Sequence, residues 1–397
     1  MSDHLLVIGG SRAGDLQSAK AMGLHVTYVQ KKEKVEPAHL AWSDRALVLD
    51  YEDLSLLVPL ARALHRHAPF GYVMSMAESG LLPAARVNDA LHLRGTAYRT
   101  ALLLMDKWAM RRHLNRLGLG VVRAALGSRK RHIERFGEDC GFPIIMKPVN
   151  ASGSSNVLLV RSMEDVPGAW ERAAEAGMSR FLLEEHLAGP EISVESLSFG
   201  RRHVVIAITG KQTLPNFVEC GHVIPADLDE ATVSEVRALV ARFLDAVELG
   251  DGPAHTEIKL TPRGLRIVES HNRVGGDEIG RMVLEACGVD MVASSLAWAF
   301  GKVDAVPVTP IPRRAVAIRF FTPAPGRVQG IHGVDEVRAN PAVVDVQLDV
   351  EPGSRIDEVR SSLDRSGYLI AQASTSGAAL DLCQQLANQV QIVTTPE

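Results

Sequence analysis

Long apolar runs are missing from this 397-residue chain. No stretch approaches the roughly 20 residues that span a bilayer, so no membrane partner is expected. The start, Met1 to Gly10, has neither the basic segment nor the extended apolar segment of a secretory signal. Cysteine is sparse: Cys140, Cys220, Cys287 and Cys383 lie far apart with no CxxC spacing. That excludes a disulfide framework and a structural zinc site, and it fits a reduced, cytoplasmic protein. Basic blocks are absent too. With a formal net charge of −4, the chain has no electrostatic footprint for nucleic acid. What remains is ordinary globular material, 46% hydrophobic and 23% charged, long enough for two or three domains. A homodimer is the default assembly for such a protein.

The opening alternates. Leu5 to Ile8 reads as a buried strand, Gly9-Gly10-Ser11 as a turn, Ala13 to Met22 as a helix stopped by Gly23, and His25 to Val29 as a second strand. Arg45–Leu49, Leu54–His67 and Tyr72–Met76 repeat the pattern, which predicts an open parallel sheet. The Gly9-Gly10-x-x-x-Gly14 turn lacks the dinucleotide-binding G-x-G-x-x-G spacing, so it reads as structural. A helical pattern then runs from Thr96 to Leu117. Strands follow at Phe142–Pro148, Val157–Arg161 and Phe181–Leu187, with a small-residue loop from Asn150 to Ser155. A helix is expected over Ala231–Ala246. After the Pro-rich stretch Pro307–Pro312, short strands and a last helix, Ser376–Val390, form a third unit. The expected class is α/β, with an N-terminal parallel domain at 1–105. A central α+β domain covers 106–308, its small lobe ending near 183 and its large lobe running from 184. A small C-terminal α+β domain takes 309–397.

The chemistry concentrates in His255-Thr256-Glu257-Ile258-Lys259-Leu260 and Leu265-Arg266-Ile267-Val268-Glu269, separated by Thr261-Pro262-Arg263-Gly264. This is a hairpin pattern, with Pro262 suited to open the loop and Gly264 to close it with a positive φ. A loop of 262–264 pairs Thr261 with Leu265, and the same register opposes Glu257 to Glu269 and His255 to His271. Like charges directly opposed on neighbouring strands are destabilising. A hard cation between them, Mg²⁺ for instance, removes the conflict. A solvated sheet face, with Lys259 and Arg266 nearby, is the other reading. Alternation carries Arg273 to the same face, next to Gly275-Gly276. A guanidinium there can clamp a developing phosphate or oxyanion, and glycines allow close backbone approach.

Taken in order, these motifs resemble the ATP-grasp superfamily over about residues 106–305. Asp106-Lys107 and Met146-Lys147-Pro148 look like its two nucleotide lysines, and Ser152, Gly153, Ser154 and Ser155 like the loop over the phosphates. The resemblance implies Glu184, Glu185 and Leu187 against adenine, and Glu191 on the ribose. It implies Glu257 and Glu269 as the metal carboxylates, Arg273 as the catalytic arginine, and ATP with Mg²⁺ as cofactors. One departure stands out. The family has Glu-x-Asn-x-Arg where this chain reads Glu269-Ser270-His271-Asn272-Arg273. Histidine is a poor Mg²⁺ ligand, so His271 is expected on phosphate or with Mn²⁺ in place of Mg²⁺. Asn272 should face the other way.

Within the superfamily the likeness is to the L-amino acid ligases. It rests on His255-Thr256-Glu257, on Arg273-x-Gly275-Gly276-Asp277 and on Phe217-Val218-Glu219-Cys220-Gly221-His222-x-x-Pro225. That implies Glu219, His222, Gly275 and Gly276 at the amino-acid pocket, with Glu219 pairing a substrate ammonium. The expected activity is ADP-forming condensation of a carboxylate with an amine, both small molecules, through an acyl phosphate. A carrier protein or nucleotide-like substrate, a nucleotide-binding regulatory module without turnover, and more distantly a dinucleotide oxidoreductase are the competing readings.

Overall fold

The computed structural model describes residues 2–10, 12–150, 153, 155–303 and 308–396. Ser152 and Ser154, two expected phosphate-loop residues, lie outside them. The N-terminal unit is the parallel sheet predicted from alternation. Its strand order is Arg45–Val48, His25–Gln30, His4–Ile8 and Tyr72–Met74. All five residues of His4–Ile8 are buried, as befits a central strand covered by helices on both faces. Helix Glu78–Leu91 follows the last of these strands, so its first residue, Glu78, emerges at the carboxyl end of the sheet.

The long helix expected over Thr96–Leu117 is two helices, Tyr98–Met105 and Lys107–Arg116. The break is Asp106. Its backbone is extended, and its side chain accepts from Ala109 N at 2.8 Å, which makes it an N-cap. Periodicity alone cannot see this, because the apolar stripe continues through the cap. The consequence is functional: Lys107 becomes the first residue of a new helix, with its amide on Val149 O at 3.3 Å.

The small lobe is a four-stranded antiparallel sheet ordered Ala124–Gly127, Phe181–Glu185, Ile144–Pro148, Leu158–Val160. Eight antiparallel strands form the largest sheet, ordered Gly264–His271, Gly252–Thr261, Glu191–Phe199, Arg202–Thr213, Glu219–Ile224, Ala315–Phe320, Gly367–Ala373 and Val343–Leu348, beside a three-stranded sheet of Arg355–Ile356, Gly326–His332 and Gln391–Thr395. The last three of the eight lie beyond the Pro-rich stretch. The C-terminal residues therefore extend the large lobe's sheet through the Glu219–Ile224 edge, and helix Ser376–Ala387 packs on that extension. No single helix among the described residues is long and apolar enough to cross a membrane.

Candidate active site

A cleft opens where the small-lobe sheet faces the hairpin. Its walls include Lys107, Lys147, Gly153, Ser155, Glu184, Glu185, Leu187, Glu191, Glu257 and Glu269. The described members of the expected nucleotide and metal set are thus together. Strand alternation explains one half: Lys147 and Glu184 lie on adjacent strands and project to one face. Lys147 Nζ is 2.7 Å from Glu184, and the fully buried Arg111 holds the other Glu184 oxygen at 2.6 Å. Burial alone would raise the Glu184 pKa. The Arg111 guanidinium, then the Lys147 ammonium, outweigh it and bring it down to about 2. Arg111 also donates to Ile267 O at 2.6 Å, tying the helix bearing Lys107 to the hairpin. Glu184 therefore fixes the position of Lys147 on the cleft wall.

The hairpin does oppose Glu257 to Glu269 and His255 to His271, but by a different route. The loop has two residues, Pro262 and Arg263, and Thr261 pairs with Gly264, whose φ is +92°. The register is thus one residue off the expected one as far as Ile258–Ile267. An extra residue, Val268, then bulges out and restores it before the carboxylates. The two differences cancel at the site.

Each carboxylate meets a lysine. Glu269 Oε2 lies 2.8 Å from Lys107 Nζ, and Glu257 Oε1 lies 2.6 Å from Lys211 Nζ. Lys211 is shared further, with Glu191 at 2.8 Å and Glu219 at 3.2 Å. Burial opposes the charge on Lys211, and the carboxylates, Glu191 foremost, overcome it and hold the pKa well above the usual lysine value. Burial pushes Glu257 up, and Lys211 and His255 pull it well below the carboxylate range. Behind Glu257, the buried His255 bonds Glu195 at 2.9 Å; burial lowers its pKa, but Glu195 prevails and raises it to about 10. A Cβ on Gly275 would stand 2.8 Å from His255 Nδ1, so this glycine lets the chain pass over the His255–Glu195 pair.

A second chamber, of about 180 Å³, adjoins the cleft. It gathers Glu219, His222, Glu257, Glu269, His271, Arg273 and Gly276, along with Gly153, Ser362 and Glu78. Gly275 lines the cavity beyond Arg273 rather than this chamber. Arg273 pairs with Glu78 at 3.1 Å. His271 is buried 3.6 Å from Glu78 and 4.0 Å from Glu269. Burial lowers its pKa against the pull of those carboxylates, which favours the neutral ring. Asn272 turns away and donates to Thr96 Oγ1 at 3.3 Å. Glu219 receives Ser362 Oγ at 2.8 Å, and His222 Nε2 lies 2.9 Å from Asp277, which Arg365 also clasps.

Lys211, Glu78, Arg111, Ser362 and Arg365 were not expected from sequence. Lys211 carried a faint signal, being a lysine that follows the apolar run Val204–Ile208 on one strand. Glu78 and Ser362 carried none, because they arrive from other units of the fold.

Among the described residues no three His, Cys, Asp or Glu side chains stand at metal-binding spacing. The donor set nevertheless fits a divalent cation of the oxygen-loving kind. Glu257 and Glu269 are opposed, all their donors are carboxylate oxygens, and Glu219 and Glu257 share one ammonium between them.

Three family models match the chain in sequence order: "ATP-grasp N-terminal domain" over residues 16–95, "ATP-grasp domain" over 140–280, and "L-amino acid ligase C-terminal domain 2" over 319–395. The L-arginine-specific L-amino acid ligase of Bacillus subtilis is 24% identical over 374 residues, covering 89% of this chain and 85% of its own. The alanine–anticapsin ligase of the same species is 27% identical over 255 residues, 57% of this chain and 53% of its own. The crystal structure of an L-amino acid ligase from Bacillus licheniformis superposes with a TM-score of 0.84 at 22% identity. It covers 99% of this chain and 98% of that one, a likeness of fold. The chain is an ATP-grasp protein, of the class of ATP-dependent, ADP-forming ligases that make C–N bonds. Within that class it ends in the closing domain of the L-amino acid ligases.

Proposed function

We propose that this protein is a Mg²⁺-dependent L-amino acid ligase, joining the carboxylate of one amino acid to the amine of another. The observation that carries the reading is the junction of cleft and chamber. There Glu257 and Glu269, each on a buried lysine, stand beside Arg273 paired to Glu78.

A carboxylate does not condense with an amine at neutral pH, because its oxygen leaves poorly. Transfer of the γ-phosphoryl of ATP to that oxygen gives an acyl phosphate, from which phosphate leaves readily. Positioning and charge neutralisation carry most of such catalysis. Lys147, locked by Glu184, and Lys107, locked by Glu269, present ammonium groups to the phosphates. Glu185, Leu187 and Glu191 line the cleft for the adenosine. Mg²⁺ held by Glu257 and Glu269 would neutralise phosphate charge. Arg273 steadies the oxyanion as the acyl phosphate forms and again as the amine attacks. Glu78 and Glu219, both at the chamber wall, are the carboxylates available to a substrate ammonium.

A screen of amino-acid pairs with MgATP, read as phosphate release and product mass, tests this. Equimolar dipeptide and phosphate are expected with at least one pair. Turnover that requires a carrier protein, or no turnover with any pair, contradicts it.

A further inference from the structure

The Gly9-Gly10-x-x-x-Gly14 turn has no part in the chemistry above, yet it borders a cavity of about 880 Å³. This cavity lies between that turn and helix Ile279–Cys287 of the large lobe. Glu78 and Arg273 line both it and the ionic chamber, so the two spaces meet at that ion pair. Their walls differ. The chamber is almost wholly charged or hydroxylic, whereas Met76, Val274, Leu284 and Met291 face the larger cavity. Other charged groups lining it are already engaged: Arg12 with Glu278 at 3.0 Å, Asp15 with the Arg12 amide at 2.9 Å, Arg281 with Asp345 at 2.5 Å, and Asp290 as a helix cap.

The turn's two glycines at the cavity play different parts. A Cβ on Gly10 would come within 2.9 Å of the Ala77 Cβ, so Gly10 lets the turn close on the helix that begins at Glu78. Gly14 is different: a Cβ there meets nothing within 4 Å. A side chain at that position would enter the cavity rather than clash.

We propose that this cavity seats the side chain of the carboxylate substrate, an α-amino acid with a long apolar side chain. Its ammonium meets Glu78, its carboxylate lies beside Arg273, and its side chain runs along Met76, Leu284 and Met291. The ion pair supplies one anion and one cation, the complement of an amino-acid zwitterion. Pockets for drug-sized ligands span about 300–1,000 Å³, so the volume far exceeds the needs of the head group. The proposal rests on the ligase reading and adds the substrate class.

The test is a series of straight-chain 2-aminoalkanoates, from alanine to 2-aminodecanoate, as carboxylate substrate with MgATP and a fixed amine. In the wild type, kcat/KM should rise about fourfold per methylene, the equivalent of burying each one, until the cavity fills. Gly14→Trp should abolish most of that rise while leaving alanine within about twofold. Leu284→Glu, on the opposite wall at a half-exposed position, should also flatten the rise with chain length and guards against a folding defect in the first variant. Activity with alanine but no gain with chain length would overturn the cavity assignment alone. Equal loss for short and long substrates in both folded variants would do so too. Phosphate release with no member of the series would overturn the ligase reading, and this assignment with it.

Discussion

At the residue scale the site is a set of buried charges, each held by an opposite one. Glu184 is the clearest case, its pKa brought from 4.5 to about 2 by Arg111 and Lys147. A depressed carboxylate stabilises the folded state above its unfolded pKa, and that stabilisation is lost as pH falls through the folded value. The window here runs from pH 4.5 down to about 2, and the contribution is about 3 kcal/mol. Denaturation midpoints should therefore fall across that window in the wild type and much less in Glu184→Gln. An identical acid profile in the two proteins would contradict the assignment. Arg111→Met should be costly at neutral pH, about 3–5 kcal/mol by urea unfolding, because it leaves the buried Glu184 with one partner instead of two.

At the element scale two devices place these residues. One is the cap at Asp106, which starts a helix on Lys107; Asp106→Ala should cost about 1 kcal/mol in chemical denaturation. The other is the hairpin, where Gly264 sits at φ +92° and a Cβ would make only an ordinary contact, 3.6 Å from Arg266 Nη1. Gly264→Ala should thus cost about 1–2 kcal/mol through backbone strain alone. No loss of stability would show that the turn relaxes.

The hairpin also shows what could be read in advance. Alternation, Pro262 and Gly264 opposed Glu257 to Glu269 only because the shorter loop and the bulge offset each other. The loop length and the bulge at Val268 were not legible, since a bulge leaves the apolar pattern of a strand almost unchanged. The cap at Asp106 was hidden by the same apolar continuity.

At the scale of the whole molecule the site is assembled from distant pieces. Glu78 comes from the N-terminal unit. Ser362 and Arg365 come from the C-terminal one, reaching Glu219, Asp277 and, through the Ser362 amide, Gly153 O at 3.2 Å. Local pattern cannot announce such residues, because nothing near Glu78 in sequence shares its task. The parallel N-terminal sheet and the carboxylate hairpin were legible because their periodicities are local. The joining of the C-terminal strands to the large lobe's sheet was not. That joining has a consequence. A chain ending at residue 308 would bare the edge of Glu219–Ile224, normally paired to Ala315–Phe320, and aggregate. A soluble, cooperatively unfolding fragment would contradict this.

On the proposed function, Glu257, Glu269 and Arg273 form one centre for activating a carboxylate with ATP. Comparing Arg273→Ala with the wild type, with phosphate release and nucleotide binding measured side by side, tests it most directly. The expected result is a kcat roughly 10²- to 10³-fold lower with nucleotide affinity nearly unchanged. Unchanged turnover in the variant would contradict it.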